Sequence, residues 1–143
     1  MTKTSPIYSA FLGTWVLDPK SCNYQQGEAP QAGTYEIGDN AGRLEFVIRW
    51  SDAEGSDQEV AFGGAPDGVR VPFAGGDLAD ALAVEATSPR ELTSSAYWRG
   101  KERMVAQRQL DATGMAMRVT QVVFLPDGSH LANVSVYRRV VRN

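Results

Sequence analysis

The chain has 143 residues, a formal net charge of −3 and a single cysteine. This is a typical length for one domain and is long enough to bury a substantial core, so we take residues 1–143 as a single domain. The net negative charge argues against binding to nucleic acid, no apolar run is long enough to span a bilayer, and a lone cysteine permits no internal disulfide.

In chain order, the first predicted element is a short helical turn that Pro6 opens and that ends before Gly13. Residues 18–31 are rich in loop-forming types and predict a long loop after the first strand. The rest of the chain consists of short runs rich in β-branched and aromatic residues, separated by Gly, Asp, Asn and Pro, which is typical of strands. The predicted strands cover residues 14–17, 34–37, 43–50, 58–62, 69–73, 82–86, 91–98, 101–110, 115–124 and 130–141.

Short turns join most of these strands. The pattern favours an all-β fold, a single up-and-down antiparallel β-barrel of about 8–10 strands, because such a barrel closes on itself and exposes no strand edge. A Greek-key sandwich is the alternative. The clearest alternation lies in residues 43–50, where every second residue is apolar, as expected for a strand with one face to solvent. The apolar residues predicted to line a cavity are Phe46, Ile48, Trp50, Phe62, Val84 and Trp98.

A contact that clasps the first strand to the last is predicted near the two termini. Gly13 and Trp15 share one face of the first strand, so the indole can close one end of the barrel beside the small glycine. An arginine guanidinium stacks well on such a ring. Arg138 shares its strand face with the apolar residues of the last strand, so we predict that Arg138, rather than Arg139, contacts Trp15. An ordinary core tryptophan beside a solvated basic tail fits the same residues.

Arg108 is the charged residue with the most apolar surroundings. It shares strand parity with Met104, Ala106 and Leu110. If that face lines the cavity, Arg108 is a buried cation that needs a partner, and the carboxylate of a ligand would supply one. Tyr97 and Tyr137 are candidate companions for such a site. The alternative is that this end of the barrel is open to solvent, where Arg108 is solvated or pairs with Glu102.

The order and spacing of several short motifs resemble an uncharacterised family of bacterial lipocalin-like proteins of the calycin group. Residues 13–21 (GTWVLDPKS) are similar to that family's opening pattern G-T-W-x-L-N-x-x-K-S, although Asp18 replaces the usual Asn. Further matches are Asp67-Gly68 with Pro72 and Gly75, then Asp80-Ala81, Asp127-Gly128 and Val136-Tyr137. The resemblance implies a barrel around a cavity and, by analogy with better-known calycins, a small hydrophobic ligand.

Few residues suggest catalysis or metal binding. No closely spaced histidine or cysteine pairs supply metal ligands, so we expect no metal and no cofactor, and we assign no catalytic residue. His130, the only histidine, follows a turn motif and is interpreted as a solvated residue. Haem-binding nitrobindins belong to the same broad superfamily, but their G-x-W-x-G-x-G opening is absent here. Cys22 is interpreted as an incidental loop residue.

The predicted function is therefore non-covalent binding of a small hydrophobic or amphipathic molecule in a barrel cavity. One alternative is a small barrel enzyme, an isomerase, lyase or hydratase that uses Asp77, Asp80 or a tyrosine as acid or base. Another is a solid-core interaction module, with Val47 and Met117 as exposed apolar contacts, for which a homodimer would fit. The polar start of the chain predicts a cytoplasmic location, although removal of a secretion signal would leave the same sequence.

Overall fold

In a computed structural model the chain folds into an antiparallel barrel, and the structure describes residues 6–25, 27–73 and 79–141. Regular structure in these ranges is almost entirely β, which confirms the predicted fold class. The exceptions are two single 3₁₀ turns, at Ser9–Phe11, inside the predicted helical turn, and at Pro19–Ser21. The strands are β1 (Gly13–Leu17), β2 (Asn23–Tyr24), β3 (Ala32–Asn40), β4 (Arg43–Ser51), β5 (Asp57–Gly64), β6 (Val71–Pro72), β7 (Ala81–Ser88), β8 (Glu91–Trp98), β9 (Lys101–Leu110), β10 (Ala116–Phe124) and β11 (His130–Arg139).

The strands form one sheet that wraps around almost completely. Their order is β5-β4-β3-β1-β11-β10-β9-β8-β7-β6, so the first strand lies between β3 and the last strand. Neighbours in this order are antiparallel, and most are consecutive in the chain, as expected for an up-and-down meander. The two ends of the order, β5 and β6, lie on either side of a seam. The barrel is therefore nearly closed, and the β1–β11 pairing holds its two halves together.

The loop predicted for residues 18–31 contains a strand that the sequence did not suggest. After β1 the chain makes the 3₁₀ turn at Pro19–Ser21 and then resumes pairing with β11 as β2, where Tyr24 lies opposite Asn133. β1 and β2 are thus two parts of one interrupted strand along the same edge of β11. The interruption matters for the site, because it positions Cys22 and Tyr24 beside the barrel interior.

The interior is packed tightly at one end and is more accessible at the other. On β4 the inward residues Leu44 and Phe46 are fully buried, whereas Ile48 and Trp50, further along the same face, are half-buried. The same gradient occurs on β9, β10 and β11. The packed end contains Phe11 and Trp15, which have no exposed surface. The end where inward side chains remain partly exposed is therefore the more accessible end of the interior.

Among the described residues, no helix is long and apolar enough to cross a membrane.

Candidate functional site

The packed end of the barrel is closed by a stacked arginine and tryptophan, but the arginine is Arg139. Its guanidinium carbon lies 4.2 Å from the centroid of the Trp15 ring. Its Nη1 donates to the carbonyl oxygen of Leu12 at 2.9 Å, Nε donates to that of Gly114 at 3.1 Å, and Nη2 donates to that of Ala10. The indole Nε1 of Trp15 donates to the carbonyl oxygen of Phe11 at 3.0 Å. The arginine thus ties the N-terminal turn, β1 and the end of β11 together.

The prediction that Arg138 makes this contact is wrong, and the strand register gives the reason. Trp15 pairs directly with Arg139, whereas Arg138 pairs with Val16 on the outer face. Directly opposed residues of antiparallel strands share a face, so only Arg139 can reach the indole. Arg138 instead forms an ion pair with Asp18, at 3.2 Å between Nη2 and Oδ2. A hydrogen bond from Ser21 and this contact hold the pKa of Asp18 below its usual value.

Gly13 has the backbone conformation that the contact between Trp15 and Arg139 requires. Its φ is +127°, a region that other L-residues rarely adopt. A Cβ at this position would lie 3.3 Å from Nη1 of Arg139. The missing side chain therefore makes room for the guanidinium.

Arg108 is the central feature of the barrel interior. Only 1% of its surface is exposed, so the face it shares with Met104, Ala106 and Leu110 does point inward. Its Nε donates to the hydroxyl of Tyr35 at 2.6 Å and its Nη2 donates to Ser94 Oγ at 2.9 Å. Nη1 donates to the carbonyl oxygen of its neighbour Ala106 at 3.2 Å.

Two aromatic rings complete the surroundings of this guanidinium. Its carbon lies 4.7 Å from the centroid of Phe46 and 5.9 Å from that of Phe62. These two rings stack on each other with centroids 4.7 Å apart. Every described group in contact with Arg108 is therefore neutral, and within the same residues no carboxylate lies within ion-pair distance of it. The predicted alternative partner, Glu102, contacts Tyr97 instead.

Tyr35 and Tyr137 lie side by side next to Arg108. Their ring centroids are 5.2 Å apart in an edge-to-face arrangement. Burial raises the pKa of the Tyr35 hydroxyl, while the charge of Arg108 and its hydrogen bond oppose this shift. Burial also raises the pKa of Tyr137. Both phenols are thus neutral near pH 7, and their hydroxyl groups can donate hydrogen bonds to a ligand.

Of the residues predicted to line a cavity, Phe46 and Val84 are buried in the main core, and Ile48 and Phe62 pack against it while remaining half-buried. Trp50 and Trp98 are half-buried as well, but neither is part of the packed core. Trp98 follows an irregularity in the β8–β9 register and lies 5.2 Å from the guanidinium carbon of Arg99. A ligand-binding role for all of these residues stays a prediction.

A depression of about 450 Å³ lies at the seam of the barrel. Phe46 and Phe62 form part of its wall, and these are the same two rings that face Arg108 from the interior. The rest of its wall comes from both sides of the seam and from the outer side of β4, namely Arg43, Glu45, Val47, Ala61, Gly63, Val71, Pro72, Phe73 and Leu82. Phe46 and Phe62 therefore contribute both to the wall of the outer depression and to the surroundings of the buried cation.

The residues named for the alternative functions lie elsewhere. Asp80 is exposed and accepts a hydrogen bond from the backbone N–H of Arg99 at 3.0 Å, and Asp77 lies outside the described residues. In the part of the chain that the structure describes, no acidic side chain is buried. The prediction that Met117 is exposed is wrong: it has no exposed surface, because it faces inward beside Tyr137 in the β10–β11 pair. Val47 is half-buried on the wall of the seam depression.

Sequence reasoning missed the residues that hold Arg108. Tyr35 comes from β3, which is not a neighbour of β9, and Ser94 comes from the adjacent strand β8. The predicted companion Tyr97 instead stacks with Arg70, whose guanidinium carbon is 3.9 Å from its ring. The alternation of Tyr35 with Ile37 on β3 was the available signal for an inward tyrosine. His130 is exposed at the start of β11, as predicted.

No protein-family model and no curated protein matches this sequence. Solved structures do match it. One is the crystal structure of the zebrafish ileal bile acid-binding protein in complex with cholic acid, at 13% sequence identity and a TM-score of 0.53, covering 92% of this chain and 99% of that chain. At this level of identity the likeness concerns the fold alone. Together with the strand order, it shows that the chain has a calycin-like β-barrel fold.

Proposed function

We propose that the barrel binds a small amphipathic molecule non-covalently, with an anionic group of the ligand received by Arg108. The apolar part of the ligand would lie against the inward aromatic and aliphatic side chains, which supply most of the affinity in sites of this kind. We also propose that the chain belongs to the lipocalin-like family that its motifs resemble, and that it shares the small hydrophobic ligand class which this resemblance implies.

The observation that supports the proposal most is the buried, uncompensated charge of Arg108. Removing a guanidinium from water costs several kcal/mol unless an anion and further hydrogen bonds replace the water. Neutral hydroxyls and the faces of aromatic rings replace only part of that loss. In addition, both terminal nitrogens carry a second N–H that no described group accepts. A carboxylate would satisfy the charge and these donors together.

The position of Arg108 along the barrel also fits a ligand head group. It is the last buried inward residue of β9, and the next inward residues, Ala106 and Met104, are half-buried. A ligand that enters from the accessible end would meet Arg108 at the floor of its site. The solved structure of similar fold contains cholic acid, which is itself a carboxylic acid.

The test is a binding titration with delipidated protein. A fluorescent fatty-acid probe should bind saturably, and unlabelled dodecanoate should displace it. Hydrogen bonds to a charged group are worth about 1.5–3 kcal/mol, so Arg108→Met should weaken dodecanoate binding about 10- to 100-fold. Dodecanol, which has no charge, should bind both proteins similarly. Arg118→Met, which removes an exposed arginine from the neighbouring strand, is the matched control and should behave like the wild type.

Two results would contradict the proposal. One is the absence of saturable binding of any amphipathic acid to the delipidated wild-type protein. The other is an equal loss of dodecanoate and dodecanol affinity in Arg108→Met, which would indicate a structural role for the arginine. Native mass spectrometry of freshly purified protein would identify any retained ligand directly.

A further inference from the structure

The interior carries a second polar group beyond the one that holds Arg108. Tyr137 projects inward from β11, and Tyr24 reaches the same region from β2. The hydroxyl of Tyr24 and Ser135 Oγ form a hydrogen bond of 2.8 Å, in which either can be the donor. Ser135 is itself buried, at 6% exposure. The wall formed by β2 and β11 thus carries side-chain hydroxyl groups on the same interior as the buried cation.

Tyr137 differs from these neighbours because its hydroxyl has no partner among the described residues. Only 6% of the residue is exposed, yet its hydroxyl makes no hydrogen bond to any of them. Within the described ranges, no fully enclosed side-chain nitrogen or oxygen lacks a partner. The Tyr137 hydroxyl is therefore not fully enclosed and keeps a small accessible surface. Buried polar groups in native proteins are normally hydrogen-bonded, so this one is open to an added acceptor.

The Tyr137 hydroxyl is not among the groups that hold Arg108. Tyr35 is close to both residues: its ring centroid is 5.5 Å from the Arg108 guanidinium carbon and 5.2 Å from the Tyr137 centroid. Tyr35 also uses its hydroxyl to accept the hydrogen bond from Arg108.

We propose that the ligand carries a second oxygen, a hydroxyl or carbonyl group, that accepts a hydrogen bond from Tyr137 while its anionic group is bound by Arg108. The favoured ligand class is thus a hydroxy- or oxo-substituted amphipathic acid, rather than an unsubstituted one. This inference rests on the proposed function, because it assumes that an acid occupies the interior.

The experiment compares dodecanoate with a series of monohydroxydodecanoates in which the hydroxyl moves along successive carbons. At least one isomer should bind the wild-type protein about three- to tenfold more tightly than dodecanoate, as expected for one additional neutral hydrogen bond. Tyr137→Phe should abolish that preference, so that the hydroxylated isomers bind this variant no more tightly than dodecanoate does. Tyr97→Phe removes an outer tyrosine hydroxyl and should keep the preference.

The outcomes separate this inference from the proposed function. If dodecanoate binds but no hydroxylated isomer binds more tightly, the inference is overturned while the proposed function stands. A preference that survives in Tyr137→Phe overturns the assignment to this residue. If neither acid binds the wild-type protein, both proposals fail. The comparison of ligands on the wild-type protein remains decisive even if Tyr137→Phe does not fold.

Discussion

Replacing Arg139 with methionine tests how the barrel is closed. Methionine keeps much of the length and apolar volume of the arginine stem, but it removes the cation above Trp15 and the three hydrogen bonds to backbone carbonyls. These carbonyls belong to Ala10 and Leu12 before β1, and to Gly114 in the turn before β10. The substitution therefore removes the side-chain link from β11 to the N-terminal turn and to the turn at Gly114.

The magnitude follows from these contacts. Each of the hydrogen bonds is partly exposed and is worth about 0.5–1 kcal/mol, while the stacking contributes about 1 kcal/mol. We therefore expect Arg139→Met to lower the free energy of unfolding by about 2–4 kcal/mol. The adjacent Arg138→Met is the matched control. It removes one exposed ion pair to Asp18, and such pairs add little to stability.

Equilibrium urea denaturation followed by circular dichroism measures both variants without relying on the fluorescence of Trp15, which the substitution itself changes. The transition midpoint should fall clearly for Arg139→Met and remain near the wild-type value for Arg138→Met, with similar slopes. Equal effects of the two substitutions, or a larger effect of Arg138→Met, would refute the reasoning. Either result would mean that the stacked guanidinium does not hold the barrel closed.

Two further predictions concern the clasp and the buried phenols. Gly13→Ala should destabilise the protein by about 1–3 kcal/mol, because alanine is strained at this positive φ and its Cβ would crowd Arg139, whereas Gly38→Ala on β3 meets open space and should be tolerated in the same urea assay. Burial raises the pKa values of Tyr35 and Tyr137 above the ordinary value of 10.0, so above about pH 10 the folded protein retains protons that the unfolded chain has lost. The free energy of unfolding should consequently be insensitive to these groups below that pH and fall as the pH rises above it, with a smaller fall in Tyr137→Phe. A free energy of unfolding that rises with pH in this range would contradict the assignment.

The sequence by itself was enough to predict the barrel, because its signals are local. Alternating apolar residues, as in Leu44 to Trp50, and turn motifs such as Asp127-Gly128 depend on neighbours in the chain. Local alternation also singled out Arg108 as a charged residue on an apolar face, and the structure buries it. The short strand β2 was missed, since two residues inside a polar loop carry no periodicity.

The face of β11 that points inward was decided only by tertiary structure. The sequence alternates Ala132, Val134 and Val136 with polar residues, which suggested that the apolar row faces the core and that Arg138 accompanies it. In the folded barrel that row faces outward, and Ser135, Tyr137 and Arg139 face inward. Alternation shows that a strand has two different faces, but the register with β1 determines which of them lies inside.

The partnership of Arg108 with Tyr35 was likewise beyond the sequence. Tyr35 is separated from Arg108 by 73 positions and meets it because the sheet curls around to face itself, whereas Ser94, 14 positions away, lies on the adjacent strand β8. Residues that touch across a barrel leave no trace in local spacing. The sequence therefore determined the strands and the buried cation, whereas the closure of the sheet decided what surrounds that cation.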